Sequence, residues 1–299
     1  MKFTFRSQLF PVCIVSSLFF PCFAGAIEPE SLALGKYISC AIQNGKAVCW
    51  GESLNIPSLK SPRLIAFGAY HSCFLDDDGI HCFGDNTYGQ IDIPKGIQSP
   101  SQLSAGGWHT CVLDEGQVKC WGIRGGADDD GRSEVPSDLV NPIHVAAGRY
   151  NTCAIHELGV RCWGRNLEGQ SDVPTGLVQP RQVASGDHHS CALDKTGVHC
   201  WGLNQFGQTT VPANLVHPRF IAASGYYSCA IDDEGVKCWG RNNYGQLDVP
   251  QSLRRPLKVV TAIHHACAVE DTGAVKCWGR NDFGQAEVPA ELNRPFSGS

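Results

Sequence analysis

The sequence predicts an all-β chain folded as a seven-bladed β-propeller, with one disulfide-stapled hairpin per repeat. Three observations carry the prediction. Cysteines recur in seven regularly spaced pairs, each pair is followed by an aromatic-Gly step and then by Val-Pro or Ile-Pro, and no segment beyond the N-terminal region sustains a helical period. With 33 Gly, 17 Pro and 18% charged residues in 299, the chain has the turn-formers of a loop-rich β protein and too much apolar content to be disordered.

Residues 1–26 are set apart first. Lys2 and Arg6 precede an apolar run from Leu9 to Phe23, and Ala24-Gly25-Ala26 is a small-residue cleavage site, so the segment is expected to be a secretory signal. Its loss removes Cys13 and Cys22 and takes the formal net charge from −5 to −7, which gives no basic footprint for nucleic acid. No later apolar run is long enough to span a bilayer. The protein is therefore expected in an exported location, periplasmic or extracellular.

Residues 27–299 then read as one propeller. The cysteine pairs are Cys40 with Cys49, Cys73 with Cys82, Cys111 with Cys120, Cys153 with Cys162, Cys191 with Cys200, Cys229 with Cys238 and Cys267 with Cys277. Six are C-x8-C and the last is C-x9-C, and the first cysteine advances by 33, 38, 42, 38, 38 and 38 residues. Between Cys191 and Cys200 a turn over Asp194–Gly197 sets Leu193 opposite Val198, Ala192 opposite His199 and Cys191 opposite Cys200, within disulfide range. Each pair is expected to staple its own hairpin, and the extra residue between Cys267 and Cys277 predicts a bulge there.

Around these hairpins, runs such as Gln182–Ser185 predict inner strands, and Asn-x-x-Gly recurs as a second turn, as at Asn204–Gly207 and Asn242–Gly245. The Trp ending the second strand offers a plate for packing between neighbours; the following Gly permits a backbone conformation or approach that a side chain would block. Units of about 38 residues are blade-sized. The tail Ala290–Pro295 copies the linker Ala213–Pro218 while the N-terminal Ser31–Gly35 resembles the missing next strand, so the two ends are expected to close the ring.

The histidines do not follow the period as metal ligands would. His188 is replaced in other units by Tyr, Trp or His, and His199 by Val48, His81, Lys119, Arg161, Lys237 and Lys276. No metal site and no cofactor is expected. Asp128–Asp130 have too few oxygen ligands and no EF-hand spacing; Asp128–Gly131 serves as this unit's form of the Asn-x-x-Gly turn. Motifs of serine hydrolases, P-loop proteins and zincins are absent, which argues against an enzyme.

Gly-x-x-His-Ser-Cys-Ala-Leu, Gly-Val-x-Cys-Trp-Gly-x-Asn-x-x-Gly-Gln and Val-Pro together resemble the regulator-of-chromosome-condensation repeat over roughly residues 30–295. The resemblance implies a seven-bladed propeller. The cysteine-paired form resembles bacterial exported members, and Trp201-Gly202 with Gly207–Pro212 is similar to the repeats of a secreted β-lactamase-inhibiting propeller. Two units depart from the pattern. Unit one lacks the Asn-x-x-Gly-Gln turn, and unit three is four residues longer, with Arg132 where five units carry Gln.

The candidate binding residues are Tyr37, Tyr70, Trp108, Tyr150, His188, Tyr226 and His264, which occupy one equivalent position. Seven-fold repetition would place them around the propeller mouth as contact-rich anchors for another protein. A second set, Tyr88, Phe206, Tyr244 and Phe283, is expected to cover the outer turns. The function expected is a secreted, non-enzymatic, monomeric protein-binding propeller of scaffold, inhibitor or effector type. The alternatives are a carbohydrate-binding or hydrolytic propeller, which would need converging carboxylates, and an effector acting on a host Ran-type GTPase, as the resemblance allows.

Overall fold

The computed structural model describes residues 12–15, 18–21, 32–53, 56, 58–125 and 128–292. The expected signal at residues 1–26 lies largely outside them; Val12–Val15 and Leu18–Pro21 form a separate two-stranded sheet. The remainder is seven three-stranded antiparallel sheets in chain order. Blade 5 is typical, with an inner strand Gln182–Ser185, a middle strand His189–Leu193 and an outer strand Val198–Gly202.

Each middle strand is buried because it pairs on both sides, and cysteine sits opposite cysteine in every hairpin. The expected disulfides all form within their own blade. Cys40 bonds to Cys49, Cys73 to Cys82, Cys111 to Cys120 and Cys153 to Cys162, and in the later blades Cys191 bonds to Cys200, Cys229 to Cys238 and Cys267 to Cys277. Their Cα atoms lie 4.0–4.1 Å apart. The first cysteine of each pair is buried on the middle strand. Its partner lies on the blade's outer edge, where Cys49, Cys82, Cys200, Cys238 and Cys277 are half-buried and only Cys120 and Cys162 are fully covered. The bulge expected between Cys267 and Cys277 is corrected. The ladder runs in register through Val269↔Val275, and the extra residue is taken up in the loop, where Gly273 adopts φ 78°.

The carboxylate that opens the hairpin turn is structural. Asp194 Oδ2 accepts from Val178 N at 2.6 Å and Oδ1 from Thr196 N at 2.6 Å, tying the turn to the preceding linker. Burial pushes this carboxyl up, but the hydrogen bonds prevail and hold it at about 2. The residue facing the turn reaches the same carboxylate with a side-chain nitrogen: His81 to Asp76, Lys119 to Asp114, His199 to Asp194 and Lys237 to Asp232, at 2.7–3.2 Å. This explains why His and Lys interchange there.

Neighbouring blades are joined by a repeated polar clasp. The backbone carbonyl of the Gly-Gln turn after one blade accepts from the tryptophan Nε1–H of the next: Gln90 from Trp121, Arg132 from Trp163, Gln170 from Trp201, Gln208 from Trp239 and Gln246 from Trp278, at 2.9–3.0 Å. A Ser or Thr hydroxyl donates to the same carbonyl at Thr110, Thr152, Ser190 and Ser228. That commits the hydroxyl proton, so the residue reaching across from the preceding blade must donate to the hydroxyl oxygen. His71, His109 and His189 do so through Nε2 at 2.7–2.9 Å, and Asn151 through Nδ2 at 2.9 Å.

Closure uses the same parts. Trp50 Nε1 and Ser39 Oγ both donate to Gln285 O at 2.9 Å, and His265 Nε2 donates to Ser39 Oγ at 2.9 Å. Leu292, in a short 3-10 turn Ala290–Leu292, is buried with Leu32, Leu34 and Trp50. The expected joining of the two ends is therefore seen.

Glycine is required where blades converge on the axis. A Cβ at Gly106 would lie 2.3 Å from Gly148 O, and one at Gly68 would lie 2.4 Å from Gly106 O. The Gly after each Trp or Phe has φ between 95° and 118°, a region that L side chains avoid.

Candidate functional site

The seven candidate binding residues lie where each inner strand turns into its middle strand, so the radial repeat gathers them at one end of the axis. There Gly35, Gly68, Gly106, Gly148, Gly186, Ser224 and Ala262 help line a narrow channel of about 130 Å³ reached by all seven blades.

Five of the seven residues form a continuous arc. Ring centroids are 5.6 Å apart for Tyr70–Trp108, 5.6 Å for Trp108–Tyr150, 4.8 Å for Tyr150–His188 and 5.7 Å for His188–Tyr226. Tyr37 and His264 stack elsewhere. Tyr37 packs on Phe283 at 4.8 Å and His264 on Tyr244 at 4.6 Å. The outer-turn aromatics therefore do more than cover their own turns, which corrects the expectation for that set. Phe283 rests on the next blade's mouth residue, as do Tyr88 on Trp108, Phe206 on Tyr226 and Tyr244 on His264. The arc is half-buried, with Tyr70 the most open at 44% exposure.

Arginines interleave with the rings, and sequence reasoning missed them. Arg132 and Arg149 each stand 5.3–5.6 Å from both Trp108 and Tyr150, and Arg165 is 5.0 Å from Tyr150. Arg241 lies over Phe206 and Tyr226, Arg280 over Tyr37 and Tyr244, and Lys36 over Tyr37. The signal was in the text: Arg165, Arg241 and Arg280 all follow Trp-Gly, in three copies of Trp-Gly-Arg-Asn.

Acids at the mouth serve these cations. Asp130 pairs with Arg132 at 2.5 Å, Asp187 with Arg149 at 3.2 Å and Asp282 with Arg280 at 2.6 Å. Burial pushes Asp187 up, against the opposing pull of Arg149. Lys36, Arg165 and Arg241 have no carboxylate partner among the described residues. His264 is lowered to about 4 by burial, with Arg280, Lys36 and Arg241 adding to the effect. The chain is acidic overall, yet this face presents unneutralised cations among flat rings.

The unit-three insertion shapes part of the face. A cavity of about 530 Å³ is bounded by Tyr88, Trp108, Tyr150, Asp128, Arg132 and Arg165. Arg132 also supplies the clasp carbonyl that Gln supplies elsewhere, so the Gln-to-Arg departure preserves the seam and adds a cation.

The residues beside the arc, His71, His109, Asn151, His189, Tyr227 and His265, are buried struts between blades rather than surface groups. Tyr227 is matched to its neighbour. Blade 7 has Ala266 in place of the hydroxyl, and Tyr227 donates instead to His265 O at 2.6 Å.

Five segments of the chain, residues 63–90, 143–170, 181–208, 219–246 and 264–285, match the Regulator of chromosome condensation (RCC1) repeat. No curated protein sequence matches the chain. Among solved structures, the ectodomain of the receptor kinase CR4 from Physcomitrella patens has a TM-score of 0.70 at 20% identity, covering 86% of this chain and 74% of that one. The CRINKLY WD40 ectodomain of ACR4 from Arabidopsis thaliana has 0.66 at 21%, with 85% and 96% covered. Prp20p from Saccharomyces cerevisiae has 0.68 at 18%, with 90% and 86% covered. At such identities the likeness is one of fold.

Proposed function

The chain belongs to the RCC1 repeat family, and from that premise we propose that it is an exported, non-enzymatic propeller that binds another protein through its aromatic mouth. The observation that carries this reading is the arc Tyr70–Trp108–Tyr150–His188–Tyr226 interleaved with Arg132, Arg149, Arg165 and Arg241. Tyr, Trp and Arg dominate binding energy at protein interfaces, Tyr and Trp because they give large contact areas at little loss of side-chain freedom, Arg because its planar fork stacks on rings and pairs with carboxylates. Stacking holds these rings in place before a partner arrives, which lowers the ordering cost of binding.

Charge narrows the partner. With Arg165, Arg241 and Lys36 lacking carboxylate partners among the described residues, an acidic segment is the complement, and association should weaken with salt. For the yeast relative, binding to Gsp1p and histones is described, and yeast RCC1 (Prp20) has been seen bound to Kap60. Those partners support a protein as the class of ligand. Export is supported by the seven disulfides, which persist in oxidising compartments, and by the leader-like residues 1–26, and the domain proposed to act is residues 27–299.

The test is capture of partners by the oxidised chain from the secreted fraction of its source and from host lysate, repeated with the Trp108→Ala/Tyr150→Ala variant. A specific partner held by the native chain and lost by a folded variant supports the proposal. Equal capture by both contradicts it.

A further inference from the structure

The clasp that joins blades is missing at one seam. Between blades 1 and 2, Ile38 stands where His, Asn or Tyr reaches across elsewhere, and Phe83 stands where Trp donates to the turn carbonyl. Unit one has only four residues between Gly51 and Ile56, whereas unit six has eight between Gly240 and Val249, so no Asn-x-x-Gly-Gln turn enters this seam. Ser72, equivalent to Thr110 and Ser190, is 2% exposed, and its hydroxyl has no hydrogen-bond partner among the described residues.

A cavity of about 290 Å³ occupies the place, bounded by Ile38, Phe67, Tyr70, Ser72, Phe83 and Glu52 among others. No outer-turn aromatic among the described residues rests on Tyr70, in keeping with its exposure. The other seams show what fits such a space. In unit six the turn Asn242–Asp248 is self-closed by Leu247 N to Asn242 Oδ1 at 2.8 Å and Tyr244 N to Gln246 Oε1 at 2.8 Å. It places Tyr244 on the next mouth residue, His264, and the Gln246 carbonyl on the next blade's clasp.

We infer that the seam between blades 1 and 2 is a seat for a protein turn of the Asn-x-aromatic-Gly-Gln type supplied by a partner. Its aromatic side chain would pack on Tyr70, and its glutamine carbonyl would accept from Ser72 Oγ, satisfying a hydroxyl that no described residue pairs. The seat shares a face with the arginine-rich arc but lies at another seam, and it stands independently of the binding reading given above.

The probe is a head-to-tail cyclised peptide copied from Asn242–Asp248, titrated into the oxidised full chain and followed by heteronuclear NMR. The inference expects saturable binding with Kd below about 1 mM and shifts centred on blades 1 and 2. Ser72→Ala should weaken it about fivefold, as loss of one neutral hydrogen bond does. A graft replacing Glu52–Asn55 with Arg241–Asp248 should fill the seat from within and abolish peptide binding. Absence of saturation overturns the inference, as does affinity that survives both Ser72→Ala and the graft, or shifts centred away from blades 1 and 2.

Discussion

Removing one hydroxyl should have opposite effects at two equivalent positions. Ser228 Oγ donates to Gln208 O at 3.1 Å and accepts from His189 Nε2 at 2.9 Å, both in the buried seam between blades 5 and 6. In Ser228→Ala the carbonyl keeps Trp239 Nε1, but the imidazole N–H is left buried without an acceptor. An orphaned donor costs about 1–3 kcal/mol, so we take about 2 kcal/mol for the variant. In a domain of this size that lowers Tm by about 4–8 °C. Ser72 has neither partner among the described residues, so Ser72→Ala removes a desolvated group for which folding gains no bond, and stability should be unchanged or rise by up to about 1 kcal/mol. Urea titrations and calorimetry of the oxidised proteins measure both. A Ser72→Ala variant destabilised as much as Ser228→Ala would refute the assignment of the clasp.

Three further outcomes follow from the same seams. Burial lowers His71 to about 4 and His109, His189 and His265 to about 3, against about 6.5 in the unfolded chain. The unfolded state therefore binds more protons as pH falls, and the stability present above about 6.5 should be lost at about 1.4 kcal/mol per pH unit per histidine; urea midpoints unchanged between pH 7 and 5 would contradict this. Leu292→Ala should destabilise by about 2–5 kcal/mol, because Leu292 is 1% exposed among Leu32, Leu34 and Trp50 at the ring closure, and a melt within a degree of the native one would show that closure lies elsewhere. Non-reducing peptide mapping should return seven disulfides, each within its own hairpin; a peptide joining two blades would be incompatible with the register.

The blade count, the hairpin register and the closure were legible because each rests on local spacing. A nine-residue separation with a turn between forces Cys191 opposite Cys200, and the period repeats that relation from Cys40 and Cys49 to Cys229 and Cys238. The seams were less legible. His189 meets Ser228 from 39 residues away, and periodicity does not say whether a side chain turns toward the axis, the solvent or the next blade. His188 and His189 are adjacent in the chain, yet one stacks at the mouth and the other braces a seam, since alternate residues point to opposite sides. Phe206 meets Tyr226 across a blade boundary, a contact that spacing within its own turn does not show. The departures were the best guides: Ile38 and Phe83 look unrelated in the sequence and border one cavity with Ser72 in the fold.

The central claim is that the arginine-interleaved arc is a protein-binding face, and affinity measured together with stability for Trp108→Ala/Tyr150→Ala tests it most directly. With the partner recovered by capture, the double variant should weaken binding by about 2–4 kcal/mol, and added salt should weaken what remains. Its Tm should fall by no more than a few degrees, because both rings are only half-buried. Unchanged affinity in a folded variant, or a collapse in Tm accounting for lost binding, would contradict the claim and leave the arc as packing between blades.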